Sequence, residues 1–63
     1  MSLPVILKSG EIMYPVSVET DYFVADDADI AAPGSKEYEA FLSEATPADE
    51  DDEARAEIIR SAK

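Results

Sequence analysis

A chain of 63 residues forms one domain at most, and its net charge of −10 comes from 15 acidic and five basic side chains. A chain of this length buries only about 60% of the surface that its unfolded form exposes, so its stability is marginal. Cysteine and histidine are absent, which excludes disulfides, thiolate chemistry and the usual zinc ligands. The charge repels nucleic acid and anionic lipid, so we expect no direct contact with either.

The first residues, MSLPVILKSG, lack the pattern of a targeting segment. They have no basic region, and their apolar run is too short for a signal peptide or a membrane span. We therefore expect a soluble protein without a signal peptide, in the cytoplasm or within a viral particle, and no membrane partner.

The stretch LPVILKSGEIMYPVSV, residues 3–18, predicts a β-hairpin. A two-residue turn at Ser9 and Gly10 would set Pro4 opposite Pro15, where pairing must stop because proline cannot donate to the ladder. One face would carry Val5, Leu7, Ile12 and Tyr14, and the other Ile6 and Met13. Ser-Gly is a weaker turn signal than Asn-Gly, so a longer loop that includes Lys8 or Glu11 stays open.

Period-two alternation continues from Ile12 to Val24 and predicts further extended chain. Beyond the hairpin this segment has two alternatives: a second hairpin that turns near residues 19–21, or pairing with another chain by strand addition. Proline at the edge could instead serve to prevent aggregation. The candidate partner-binding strand edge consists of Val16, Val18 and Thr20.

Composition shifts near residue 25 from apolar and β-branched to alanine-rich and acidic. Within a single domain, 1–63, we distinguish a β part over residues 1–25, an acidic connector over 26–34 and a helical part over 35–63. Ile30 is expected to reach the core from the connector.

Two helices are predicted in the second half. The first runs over about 35–45, with Ser35 as N-cap and an apolar stripe of Tyr38, Phe41, Leu42 and Ala45. The second runs over about 47–62, with Thr46 as N-cap, Pro47 at the first helical position and Asp49 in a capping box. Its large apolar residues are Ile58 and Ile59. The predicted fold class is α+β: an N-terminal hairpin or small antiparallel sheet (about 4–24) and two short helices.

No pattern of catalytic or metal-binding residues is present. A calcium loop counted from Asp27 would need glycine at its sixth position, where the chain has Ala32. The serines have no adjacent base that could activate them. We expect a protein that is not an enzyme and that takes no cofactor and no metal.

The hairpin could leave one sheet face exposed. If a helix covers only one face, the apolar residues on the other form a partner-binding patch. The alternative is that the second helix covers that face too. The candidate patch consists of Ile6, Met13 and Phe23.

Three function classes fit these features. The first is an accessory or structural subunit of a larger assembly, for example a minor or stabilising component of a viral particle, bound to a larger protein or to copies of itself. The second is an acidic inhibitor that mimics nucleic acid and blocks a basic site on a nucleic-acid enzyme. The third is a free-standing domain whose acidity is an adaptation to high salt. The acidic residues for the second class are Asp26, Asp27, Asp29, Asp49, Glu50, Asp52 and Glu53.

Overall fold

A computed structural model describes residues 3–16 and 28–62, and the fold is α+β, as predicted. Within these described residues, four strands form one sheet in the order β3-β2-β1-β4, and two helices accompany it. In chain order the elements are β1 (Val5–Ile6), β2 (Ile12–Pro15), β3 (Ala28–Ala31), α1 (Lys36–Leu42), β4 (Thr46–Pro47) and α2 (Glu50–Ala62).

The sheet is mixed. β2 pairs antiparallel with β1 on one side and with β3 on the other, whereas β4 lies parallel to β1. β3 therefore occupies part of the segment that the sequence predicted to be an acidic connector. Most of the strand predicted after Pro15 falls on residues 17–27, outside the described residues.

The hairpin register differs by one residue from the predicted one. Val5 pairs with Met13, and the Leu7 N–H donates to the carbonyl of Glu11 at 2.8 Å. The loop between them consists of residues 8–10, so the longer-loop alternative that includes Lys8 is the one realised. Gly10 has a φ of +94°, and glycine adopts this conformation without the strain that a Cβ would add.

The sequence predicted that Pro4 would lie opposite Pro15, and this prediction is wrong. Pro15 pairs with Ala28 of β3. The carbonyl of Pro4 accepts a hydrogen bond from the Thr46 N–H at 3.1 Å. Pro15 thus contributes to the pairing of β2 with β3, and Pro4 to the pairing of the first strand segment with β4. Neither proline ends a two-stranded ladder.

Helix α2 covers the sheet face that carries Val5, Leu7 and Met13. These side chains form one buried cluster with Ala56 and Ile59 of the helix. Burying a large apolar side chain contributes about 1.5–3 kcal/mol. This cluster is therefore the main core among the described residues.

Helix α1 covers the opposite face. The ring of Phe41 stacks on that of Tyr14, with centroids 4.7 Å apart and planes at 19°. Side chains alternate along a strand, so Ile12 lies on this face and Met13 on the other, and both are 0% exposed. Strand β2 is therefore buried on both sides.

The start of α1 is as predicted. The Ser35 hydroxyl accepts a hydrogen bond from the Tyr38 N–H at 3.1 Å, which satisfies a donor that the first helical turn leaves unpaired. The helix ends at Leu42, earlier than predicted, and residues 43–45 connect it to β4, which begins at Thr46.

The predicted start of the second helix is wrong. Thr46 and Pro47 form β4, and α2 begins at Glu50. The Asp52 N–H donates to Asp49 Oδ1 at 2.8 Å, and the Asp49 N–H donates to Asp52 Oδ2 at 3.2 Å. This reciprocal capping box lies three residues later than the Thr46 cap that the sequence suggested.

Candidate interaction surface

The predicted apolar patch is not an exposed surface, because Met13 at its centre is buried. Met13 is fully buried against α2, Ile6 is half-buried on the α1 face, and Phe23 lies outside the described residues. The expectation for Met13 is corrected because the second helix covers the face that the sequence left open.

The predicted strand edge is described at only one residue. Val16 follows β2 and is exposed, while Val18 and Thr20 lie outside the described residues. Among the strands that the structure describes, β3 and β4 are the outer ones of the sheet.

The outer edge of β4 lacks a backbone donor at its centre. The N–H groups of Thr46 and Ala48 donate to carbonyls of Pro4 and Ile6 in β1. Backbone direction alternates along a strand, so Pro47 is turned outward, and proline has no N–H. A strand added at this edge would lose that ladder bond.

At the outer edge of β3, one backbone donor is occupied by a side chain. Backbone N–H and C=O groups alternate in direction along a strand. The hydrogen bond between Leu7 and Glu11 therefore shows which residues of β2 point toward β1 and which toward β3. Since Ile30 pairs with Met13, a residue whose backbone groups point toward β1, the Ile30 N–H points away from β2. Asp29 Oδ1 accepts that N–H at 2.8 Å. Asp29, a candidate acidic contact, therefore has a local structural role.

Several other carboxylates are also used by the fold. Asp49 and Asp52 cap α2. Burial is the main cause that raises the pKa of Asp52, and the neighbouring Asp49 charge adds to it. Glu53 Oε2 accepts the Lys8 N–H at 2.8 Å, which ties the hairpin loop to the first turn of α2.

The hairpin loop is also tied to the last turn of α2. Arg60 contacts Glu11 Oε1 at 2.7 Å, and the Ser9 hydroxyl donates to the same oxygen at 2.8 Å. These contacts hold the pKa of Glu11 below its usual value of 4.5, with the Ser9 hydrogen bond as the largest cause. Sequence patterning gives no sign of this contact, since its residues are 49 and 51 positions apart.

A second group of carboxylates points outward and makes no hydrogen bond within the described residues. On α2, Glu50 and Asp51 are exposed, and Glu57 approaches only Arg60, at 3.9 Å. On α1, Glu37 and Glu39 are exposed. Asp26 and Asp27 of the predicted set lie outside the described residues.

The exposed isoleucine of α2 is on the same side as its outward carboxylates. Ile58 is 55% exposed, whereas Ile59 is 2% exposed and belongs to the core. The sequence did not distinguish these two residues. Ala56, one turn before Ile59, is also buried, but Ile58 also has Ala54 and Ala62 at helical spacing, so apolar spacing alone does not identify the buried stripe.

Other kinds of site find no support in residues 3–16 and 28–62. They enclose no pocket, and no group of three or more acidic side chains is arranged to hold a metal ion. Neither helix in this part of the chain has the length and apolar character that crossing a bilayer requires.

Comparison with known proteins found no match to a protein-family model, to a curated protein or to a solved structure.

Proposed function

We propose that this chain is a small non-enzymatic interaction protein that serves as an accessory or structural subunit of a larger assembly. One observation carries the proposal: among the described residues, the helices cover both faces of β2, each sheet edge has one backbone donor that is missing or already bonded, and carboxylates and Ile58 point outward. A surface that combines acidic groups with an exposed apolar side chain suits contact with a basic protein partner. Such a subunit would act in the cytoplasm or in a particle such as a virion.

The experiment is size-exclusion chromatography of the tagged chain with its native extract, followed by mass spectrometry of the co-eluting proteins. We expect one larger protein in fixed stoichiometry with the chain, and we expect the complex to persist at about 200 mM salt, because an apolar contact is not screened. The tag alone is the control. Elution of the chain as a monomer at every salt concentration would contradict the proposal.

A second function is favoured by the acidic run from Asp49 to Glu53 at the start of α2. These carboxylates surround the start of the helix, and Glu50 and Asp51 among them point outward, so they could occupy a basic groove and the chain could act as an inhibitor that mimics nucleic acid. A partner held only by ion pairs should be released as salt rises from about 50 to 200 mM. It should also be an enzyme of nucleic-acid metabolism whose activity the chain inhibits.

The two functions respond oppositely to one substitution. Ile58→Asp adds a negative charge and removes the exposed apolar side chain. An inhibitor that acts by charge should bind as well or better, whereas a subunit with a mixed contact should bind more weakly. Affinity measured by surface plasmon resonance with the purified partner distinguishes them.

A further inference from the structure

One side of α2 is left uncovered by the other residues that the structure describes. We call it the outer face, and it consists of the exposed residues Glu50, Asp51, Ala54, Glu57, Ile58, Ser61 and Ala62. These residues are spaced three, four or seven positions apart in two adjoining rows, so they lie on one side of the helix. The buried residues Ala56 and Ile59 lie on the other side.

The centre of the outer face is apolar. Ile58 is the large side chain, and Ala54 and Ala62 lie one turn before and after it. Because alanine is small, another helix could approach closely and place a side chain against Ile58. At 1.5 Å per residue the 13 residues of α2 give a surface about 20 Å long, which matches a short helical segment.

The charge of the outer face is unbalanced. Glu50 and Asp51 have no basic partner within hydrogen-bonding distance in the described chain, and Glu57 approaches only Arg60, at 3.9 Å. By contrast, Asp49, Asp52 and Glu53 make hydrogen bonds that hold the fold together. The outward carboxylates are therefore available to a partner at no cost to the fold.

We infer that the outer face of α2 binds a basic amphipathic helix of a partner protein. The partner's apolar side chains would pack on Ile58, and its lysines or arginines would pair with Glu50, Asp51 and Glu57. A second copy of this chain fits less well, since it would bring the same carboxylates and a further charge of −10. The inference rests on the proposed function and names the surface through which that function would operate.

The probe is a synthetic peptide of about 16 residues with leucines on one helical face and lysines and arginines elsewhere. A peptide of the same composition, reordered so that its leucines do not share a face, is its control. Isothermal titration calorimetry at low salt should show tighter binding of the amphipathic peptide. Equal affinity for the two peptides, or no binding of either, would overturn the inference.

Substitutions locate the contact on α2. Ile58→Ser should weaken binding of the amphipathic peptide about tenfold or more, because it removes the apolar contact. The double variant Glu50→Gln with Glu57→Gln should also weaken it. Its matched control is Glu37→Gln with Glu39→Gln, which changes the net charge equally on α1, on the opposite side of the sheet. We expect this control to bind nearly as wild type.

The outcomes separate this inference from the proposed function. Equal weakening by the two double variants, or unchanged binding by Ile58→Ser, would place the contact elsewhere and overturn the inference, yet the chain could still form its complex in native extract. Elution without any partner from that extract would overturn the proposed function itself. Circular dichroism should show that all these exposed variants keep the wild-type helical signal.

Discussion

Glu11 connects the hairpin loop to the last turn of α2 through Ser9 and Arg60. Its pKa is lowered in the folded chain, so the folded state binds its proton more weakly than the unfolded state does. The resulting stabilisation is present above its usual pKa of 4.5 and is lost as the pH falls through the lower, folded-state value. This residue therefore makes the link between hairpin and helix sensitive to acid.

Replacing Glu11 by Gln should lower the free energy of unfolding at pH 7 by about 0.5 kcal/mol, since partly exposed ion pairs contribute little. The difference between wild type and variant should vanish well below pH 4.5, where Glu11 is itself neutral. Urea denaturation of both proteins at pH 7 and well below pH 4.5 measures this difference in unfolding free energy. A difference that is the same at both would show that the charge of Glu11 has no role.

The capping box gives a second prediction for single residues. Asp49→Ala should destabilise the fold by about 1 kcal/mol, because it leaves the Asp52 N–H without its acceptor. Thr46→Ala should change stability by less than about 0.5 kcal/mol, because Thr46 is exposed and pairs through its backbone. Thermal melts of both variants test the comparison, and the reverse order would place the helix start at Thr46.

Among the elements, β2 is the strand on which the layers depend. It pairs with β1 and β3, and its residues Ile12 and Met13 meet α1 and α2 on opposite faces. Two adjacent apolar residues in a strand are typical of burial on both sides. The three layers thus converge on this strand.

Met13→Ala should cost about 2–5 kcal/mol, because it leaves a cavity between β2 and α2. A domain this small could lose most of its folded population from that change alone. Ile58→Ala, the control on the exposed side of α2, should change stability by about 0.5 kcal/mol or less. Equal effects in chemical denaturation would contradict the burial of Met13.

The short strand β4 leads to a prediction about association. Pro47→Thr restores an N–H at the outer edge of the sheet, so the variant should self-associate more readily than wild type. Analytical ultracentrifugation over a range of concentrations measures this. Thr46→Val, which leaves Pro47 in place, is the control, and identical sedimentation of all three proteins would show that the proline does not protect the edge.

The sequence predicts the hairpin and the two helices, but it does not predict strands β3 and β4 or the pairing of the sheet. Ser35 and the spacing of Tyr38 and Phe41 locate α1 because they are local signals. The predicted hairpin register is wrong by one residue, because Ile12 and Met13 are both apolar and either could face either helix. Thr46 and Pro47 resemble a helix start, and only pairing with the distant β1 makes them a strand. The contact of Glu11 with Arg60 and the exposure of Ile58 also depend on how α2 packs on the distant hairpin, which local patterns do not show.

For the whole molecule, the net charge of −10 opposes compaction. Raising the salt concentration screens that repulsion over shorter distances. We expect the melting temperature to rise between about 50 and 500 mM NaCl, although the Glu11–Arg60 pair is weakened. Differential scanning calorimetry measures the change, and a melting temperature that falls would mean that specific ion pairs outweigh the overall repulsion.

The position of β4 beside β1 has a consequence for how the protein is made. While the chain emerges from the ribosome, β1 and β2 appear before Thr46 and Pro47, which pair with β1, and before Ile59, which packs on the hairpin. The nascent hairpin therefore cannot bury Val5 and Met13 against α2 until that helix has also left the ribosome. We expect the hairpin to be a binding site for chaperones during that interval.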